Sequence, residues 1–381
     1  MTDPFQAHLS SAAFAFRGYN VTNLGKTPEL LEHPVYGPII TALLREASEI
    51  CSEATCHHVD LVERVRRREA SKILTFAEDI STIIAVELAQ LRILKEVFDV
   101  EWSGGRLAFG YSLGEVSALI ASDVYKMEHI LRPPLSMARE CAELGRNVSM
   151  GVLFSREGEL DIKLVKRLCL EVNFEGKGVI GISSFLSPNA ALLLGQYETV
   201  RRFRKRSRDY FPKKVHLRQN PHRWPPLHTS ILWERNISDR AAYMMHTMPG
   251  GFTKPTIPVV SLVTGKADYD ETNSREILAD WIDHPQRLWD AVCETLAAGV
   301  ETVVHIGPEP NLIPATFRRI SDDVGAQLRG RSLNSIGLRA MSGIARRPWL
   351  TKLLSTRATL LRAPFVEHIF LEDWLLEQDI K

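Results

Sequence analysis

Apolar positions along the chain alternate between short continuous runs and stretches of helical spacing, the pattern of strands followed by helices. Phe14-Ala15-Phe16, closing at Arg17-Gly18, predicts a first strand and a loop. Ile39, Ile40, Leu43, Leu44 and Ala47 place one apolar face on a helix between Pro34 and Cys51. From Ile73 to Phe98 the same spacing runs through Ile80, Ile83, Ile84, Val86, Leu88, Leu91 and Leu94, which predicts a long, mostly buried helix. Leu107-Ala108-Phe109-Gly110 is short enough for a strand, and helical spacing resumes from Glu115 to Ile120. Strand, sharp turn and helix therefore succeed one another with Ser112 at the turn.

The pattern changes at Met150. Strands are predicted at Gly151–Phe154, Val179–Ser183 and Ala190–Leu194, with helices at Ile162–Val172 and Glu198–Tyr210 and a closing strand at Lys214–Leu217. That β-α-β-β-α-β order is ferredoxin-like. Pro221, Pro225 and Pro226 mark the return to the main body. A β-rich run at Ile257–Val263, a helix at Ile277–Leu296 interrupted near Pro285, a strand at Thr302–Ile306 and a helix at Leu312–Ile320 follow. Phe365–Leu376 reads as an amphipathic packing helix. The expected fold class is α/β: a hydrolase-like parallel-sheet core at 10–149 and 220–335, an inserted ferredoxin-like small domain at 150–219, and a C-terminal helical extension at 336–381.

Composition narrows the function classes. Of 381 residues, 45% are hydrophobic and 24% charged, an ordinary globular balance. Lys+Arg 47 against Asp+Glu 46 leaves a net charge of +1, which argues against bulk binding to nucleic acid or an anionic membrane. No apolar run of about 18 residues predicts a transmembrane helix. Asp3, and the lack of a basic start before an apolar stretch, argue against a signal peptide. Five cysteines fit free thiols in a reducing, cytoplasmic setting.

The chemistry concentrates at Gly110-Tyr111-Ser112-Leu113-Gly114, a G-x-S-x-G match. A nucleophile between strand and helix needs a tight turn, and flanking glycines let neighbouring backbone pass close. The same turn puts backbone N–H groups at a helix N-terminus, where they can hold negative charge on a carbonyl oxygen. His228 follows the small domain and precedes the apolar run Ile231-Leu232-Trp233, which suits a general base; His222 is a neighbouring competitor. Cys51 with Cys56-His57-His58 lacks the second pair a zinc site needs, so no metal is expected. Arg201, Arg202, Arg204, Lys205, Arg206 and Arg208 form a basic helix face, either simply solvated or a dock for an acidic protein or for phosphates.

Tyr111-Ser112-Leu113-Gly114-Glu115-Val116-Ser117-Ala118-Leu119 resembles the G-H-S-L-G-E-x-x-A signature of malonyl-CoA:acyl-carrier-protein transacylases and polyketide acyltransferase domains. Phe14–Gly18 is similar to the family's F-x-F-P-G opening, Ser187-Pro188 with Leu192–Gly195 to its N-S-P…V-I-x-G stretch, and Leu227-His228-Thr229 to its histidine step. Ile257–Ser261 and His305-Ile306-Gly307-Pro308 with Leu312 resemble its later motifs, so the likeness spans roughly residues 12 to 322. It implies an acyltransferase that moves a malonyl or related acyl group from coenzyme A to the phosphopantetheine thiol of an acyl carrier protein, with acyl-CoA and carrier protein as partners and no cofactor beyond the thioester substrate. It further implies Ser112 as nucleophile, His228 as base, the backbone N–H groups of Leu113 and Thr22 as oxyanion donors, and the main-chain carbonyl of Trp281 as the group orienting the histidine. Asp280 and Asp283 flank Trp281 and leave a carboxylate orienter open.

The chain departs from the family at four places. Tyr111 replaces the usual histidine, and Arg17-Gly18-Tyr19-Asn20-Val21-Thr22 stands for P-G-Q-G-S-Q, with Gly18 and Tyr111 expected to line the substrate site. Phe76-Ala77-Glu78-Asp79 stands for T-Q-P-A. Malonyl-type enzymes carry a carboxylate-gripping arginine about 25 residues past the serine. That position is Met137; Arg139 follows two residues on, after Pro133-Pro134. Either Arg139 grips a carboxylate after a local shift, or the acyl group has none. Two alternatives stay open: a serine esterase or thioesterase, and a catalytically degenerate carrier-protein-binding module.

Overall fold

The computed structural model describes residues 8–156, 158–211, 214–329 and 356–380. In chain order the strands are β1 (Ala12–Phe16), β2 (Leu107–Gly110), β3 (Val148–Ser155), β4 (Ile180–Ser187), β5 (Ala190–Gln196), β6 (Val215–Arg223), β7 (Val259–Val260), β8 (Thr302–Ile306) and β9 (Glu367–Phe370).

Five strands make one parallel sheet in the order β7-β2-β1-β8-β9. Its central strand is wholly buried, and the two-residue period of a strand sends its side chains into two separate cores. Phe14 and Phe16 pack with helices Tyr36–Thr55 and Phe76–Phe98 on one face. Ala13 and Ala15 face the core of helices Leu288–Ala297 and Leu312–Arg329 on the other. The sheet is thus covered on both faces, which makes the fold α/β. The C-terminal ends of β1, β2 and β8 meet where Phe16 pairs with Gly110 and with Ile306. In open α/β sheets the crevice beyond those ends takes ligands.

The second sheet is antiparallel, in the order β4-β5-β3-β6. Helices Ile162–Asn173 and Thr199–Tyr210 cover one face through Val165, Leu168, Val200 and Phe203. The other face carries Leu186, Leu192 and Leu194 onto the second core of the main body. Backbone also joins the small sheet to the main body: Gln286, in the segment before helix Leu288–Ala297, forms a parallel bridge with Ser184 on β4. Its N–H donates to Ser183 (2.9 Å), and its carbonyl accepts from Phe185 (2.8 Å).

The segment expected as a C-terminal helical extension is different where it is described. Glu367–Phe370 forms β9, parallel to β8, before the short helix Leu371–Leu376. Helical spacing alone misreads it because the backbone groups of β8 stand open at the sheet edge and take up the strand. Residues 336–355 of that extension lie outside the described residues.

Candidate active site

Ser112 sits where β2 turns into helix Leu113–Ala121, with φ +54° and ψ −114°, a conformation that L-residues avoid. The neighbouring glycines make the turn possible. A Cβ on Gly114 would overlap the carbonyls of Phe16 and Arg17 at the end of β1, and a Cβ on Gly18 would overlap that of Tyr111. Glu115, fully buried, ties the helix down: it accepts from Leu262 N–H at 3.1 Å and from the Tyr269 hydroxyl at 2.7 Å. Burial pushes its carboxyl up to about 7, against the hydrogen bonds that favour ionisation.

His228 approaches from the return segment after the small sheet. It also has positive φ, +63°, and its N–H donates to the Ile282 carbonyl at 2.8 Å. Its Nε2 lies 2.7 Å from Ser112 Oγ and its Nδ1 2.7 Å from the Trp281 carbonyl oxygen. A carbonyl only accepts, so Nδ1 carries the proton and Nε2 is left to accept from the serine hydroxyl. The pair is enclosed, Ser112 being 8% and His228 3% exposed. Burial drives the imidazole pKa down to about 4, with the Trp281 carbonyl pulling the other way, so the ring is neutral at pH 7.

No carboxylate hydrogen-bonds His228 among the described residues. Asp283 instead accepts from Trp233 Nε1 (2.8 Å) and faces His284 Nδ1 (2.9 Å), and Asp280 is exposed. His222 is on the exposed part of β6. A residue unmarked in the sequence does reach the pair. Gln286, fully buried, accepts from Ser112 N–H through Oε1 (3.2 Å) and brings Nε2 to 3.3 Å from His228 Nδ1. The same residue bridges to β4, so it links the small sheet to Ser112 and His228. Its sequence signal is faint: Pro285 breaks the helix just before it and leaves an extended backbone free to pair.

Ser112 borders two cavities. One, of about 290 Å³, opens between the main body and the small sheet and is lined by Ser112, His228, Trp224, Met150, Asn220 and Arg319 among others. Gly18, Tyr19, Asn20 and Tyr111 also line it, and the buried Trp224 Nε1–H has no hydrogen-bond acceptor among the described residues. Burial raises the Tyr111 hydroxyl to about 12, so it stays protonated. The other cavity, of about 40 Å³, is bordered by Ser112 and Leu113 and includes Met137 and Trp281.

Two residues expected at the site lie elsewhere. Arg139 is 92% exposed, with its Nε 3.3 Å from Glu143 on the outer face of helix Ala138–Gly145. That helix begins at Ala138, so Met137 and Cys141 turn inward while Arg139 turns to solvent. Thr22 is also exposed. The Asn23 side chain closes a turn on Asn20 N–H (2.9 Å) and Asn20 carbonyl (2.7 Å), and Arg17 holds the Thr22 carbonyl at 3.3 Å. The turn faces Gly18–Asn20 toward the serine and Thr22 away. Within the basic run, Arg202 and Arg206 pair with Glu175 (2.5 and 2.7 Å) and Arg201 with Glu198 (3.3 Å). Among the described residues no group of three or more His, Cys, Asp or Glu could hold a metal, and no helix is long and apolar enough to cross a membrane.

No protein-family model matches the chain. Over 327 residues, 84% of this chain and 95% of the relative, it is 24% identical to the malonyl CoA-acyl carrier protein transacylase of Salmonella typhimurium. Its fold is similar to that of FabD from Acinetobacter baumannii, with TM-score 0.63, 18% identity, and 81% of this chain and 91% of that one covered. MCAT from Streptococcus pneumoniae gives TM-score 0.63 and 19% identity, covering 81% and 92%. A malonyl-transacylase solved in complex with its type II polyketide-synthase acyl-carrier protein gives 0.62 and 22%, covering 81% and 93%. The likeness to malonyl-CoA:acyl-carrier-protein transacylases carried by the motifs is thus shown in sequence and in fold.

Proposed function

We propose that this chain is an acyltransferase that moves an acyl group from coenzyme A to the phosphopantetheine thiol of an acyl carrier protein through an acyl-Ser112 intermediate. The observation that carries this reading is the relay Ser112 Oγ–His228 Nε2 (2.7 Å) and His228 Nδ1–Trp281 carbonyl (2.7 Å) at the base of an open cleft. The curated relative and the structural neighbours named above support it.

In the first half-reaction Ser112 Oγ attacks the thioester carbonyl while His228 Nε2 takes its proton. The Leu113 N–H, first of its helix and so without an intrahelical acceptor, stabilises the oxyanion; Gly18–Asn20 closes the opposite wall. The C–S bond breaks, and the leaving thiolate takes the proton from His228. In the second half-reaction the carrier thiol gives its proton to His228 and attacks the acyl-serine, whose oxygen recovers that proton. The Trp281 carbonyl suits this cycle. It stabilises the transient imidazolium, while the absence of a full negative charge leaves the resting ring neutral. A thioester is already activated, so the chemistry requires no metal or redox group.

In this reading the described residues of 10–149 and 220–335 form the catalytic core, and those of 150–219 a small domain beside the cleft. Arg319, Asn220 and Asn311 at the cleft face the phosphopantetheine arm. We read the enzyme as cytoplasmic; its five free cysteines support a reducing compartment.

The test is intact-protein mass spectrometry with an acyl-CoA panel and a phosphopantetheinylated carrier protein. The wild type gains one acyl adduct and passes it to the carrier, and Ser112→Ala gains none. Absence of an adduct from every thioester would leave a binding module, and release of free acid without transfer would leave a hydrolase.

A further inference from the structure

The small cavity beside Ser112 constrains what the serine can carry. Its lining includes Phe76, Ile80, Met137, Cys141, Met245 and Ile282, together with Trp281 and Tyr19. Among the described residues no Lys, Arg or His lines it. The Trp281 indole N–H is engaged by the Ser112 carbonyl at 3.1 Å. Burial pushes the Cys141 thiol up to about 12, so it adds no charge.

The buried guanidinium groups nearby are already engaged. Arg17 holds the carbonyls of Gly18 (2.7 Å), Pro308 (2.5 Å) and Thr22 (3.3 Å) and the Asn23 side chain (2.9 Å). Arg64 is paired with Asp79 at 2.6 Å. Arg139 lies outside, in solvent.

The two cavities divide the thioester between them. His228 faces the wide cleft, so the sulfur leaves on that side, where the long arm has room. The carbon chain of the acyl group then points into the small cavity. A carboxylate carried there would meet apolar walls and no counter-ion, which its attraction to the remaining groups does not offset. The size sets a second limit. One water needs about 10–15 Å³ of such space, so about 40 Å³ takes roughly three water-sized groups, or about two to four carbons.

We infer that the acyl group transferred by this enzyme is short and uncharged, of the acetyl-to-butyryl class, and that Met137 helps set this choice by occupying the cavity wall with a thioether. The inference rests on the acyltransferase reading of the same site and names its substrate class. It differs from the malonyl group in the names of the relatives.

The experiment measures the rate of Ser112 acylation by acetyl-, butyryl-, octanoyl- and malonyl-CoA, each followed by intact mass and by transfer to the carrier protein. The wild type is expected to take acetyl- or butyryl-CoA at least about 100-fold faster than malonyl-CoA, whose carboxylate would be buried without a partner, or octanoyl-CoA, which exceeds the cavity. Met137→Arg is expected to raise the malonyl-to-acetyl ratio at least about 10-fold by supplying a counter-ion. Met137→Ala, a milder change should the arginine prevent folding, is expected to shift the preference toward longer chains. Malonyl acylation as fast as acetyl in the wild type, with normal transfer, overturns the inference and leaves the acyltransferase reading standing. No adduct from any thioester overturns both.

Discussion

The indole N–H of Trp281 donates to the main-chain carbonyl of Ser112 at 3.1 Å, so the residue whose own carbonyl orients His228 also holds the elbow that carries the hydroxyl. One side chain and one carbonyl from the same residue thus hold both members of the Ser112–His228 pair. The ring of Trp281 packs edge-on to the imidazole, centroids 5.0 Å apart, which limits rotation of His228 about its own axis.

Trp281→Phe separates these roles. It keeps the carbonyl and most of the packing and removes the indole bond. The expected cost is about 1 kcal/mol of stability, for one hydrogen bond lost from a carbonyl that still accepts from Glu115 N–H at 3.0 Å, and about a tenfold slower acylation from a looser elbow. The pH profile should not move, because Nδ1 keeps its acceptor. Denaturant melts and single-turnover acylation read the two effects; wild-type values in both would show that the indole bond holds nothing.

Gln286 is a positioning residue, and its substitutions should divide cleanly. Gln286→Leu leaves the Ser112 N–H unpaired in a buried site, with an expected loss of about 1–3 kcal/mol and slower acylation. Gln286→Glu puts a carboxylate where the amide nitrogen lies 3.3 Å from His228 Nδ1. Negative charge there favours the imidazolium, so the acid limb of the acylation rate should move to higher pH. An unmoved limb in Gln286→Glu would place the side chain away from the imidazole in solution.

The depressed pKa of His228 sets the pH behaviour. The ring loses its proton at about 4 in the fold, against 6.5 when unperturbed. The neutral base is present above about pH 4, so Ser112 acylation should hold to about pH 5 and fall as pH drops through 4. Stability follows the same sign. Between about 6.5 and 4 the unfolded chain binds a proton that the fold refuses, so stability declines as pH falls through that window, by about 3 kcal/mol over its full width. Denaturant melts of wild type and His228→Gln from pH 7 to 4 check this: the variant should lose less stability across the window.

The sequence made the elbow legible because its constraint is local. A strand, a serine between glycines and a helix follow one another within fifteen positions, and β8 could be read to the residue as Thr302–Ile306. What escaped reading depends on contacts far apart in the chain. The spacing from Ser112 falls on Met137, and Arg139, two residues on, could reach a carboxylate only after a local shift; helix Ala138–Gly145 keeps Met137 inward and turns Arg139 to solvent. Gln286 reaches Ser112, 174 positions away, and only the preceding Pro285 marks it locally. β9 is a strand only because β8 presents an open edge.

Glu372 shows how that last strand reaches the cleft. The helix after β9 carries it to two loops at once: Oε2 accepts from Lys26 N–H at 2.9 Å and Oε1 from Glu309 N–H at 2.8 Å. The first loop continues from Gly18–Asn20 and the second into Pro310, both lining the wide cavity. Burial raises the Glu372 pKa against the two backbone N–H groups, yet it is those groups that give the carboxylate its function. Glu372→Ala leaves both amides unpaired, with an expected cost of about 2–4 kcal/mol. Glu372→Gln should be little better, because its amide can accept only through one oxygen and turns a donor toward the other N–H. In both variants the Lys26 and Glu309 amides should exchange hydrogen faster than in wild type, and acylation of Ser112 should slow several-fold while His228 keeps its pH profile. Wild-type protection of those two amides in Glu372→Ala would mean the loops hold their shape without the C-terminal segment, and the brace would then be packing alone.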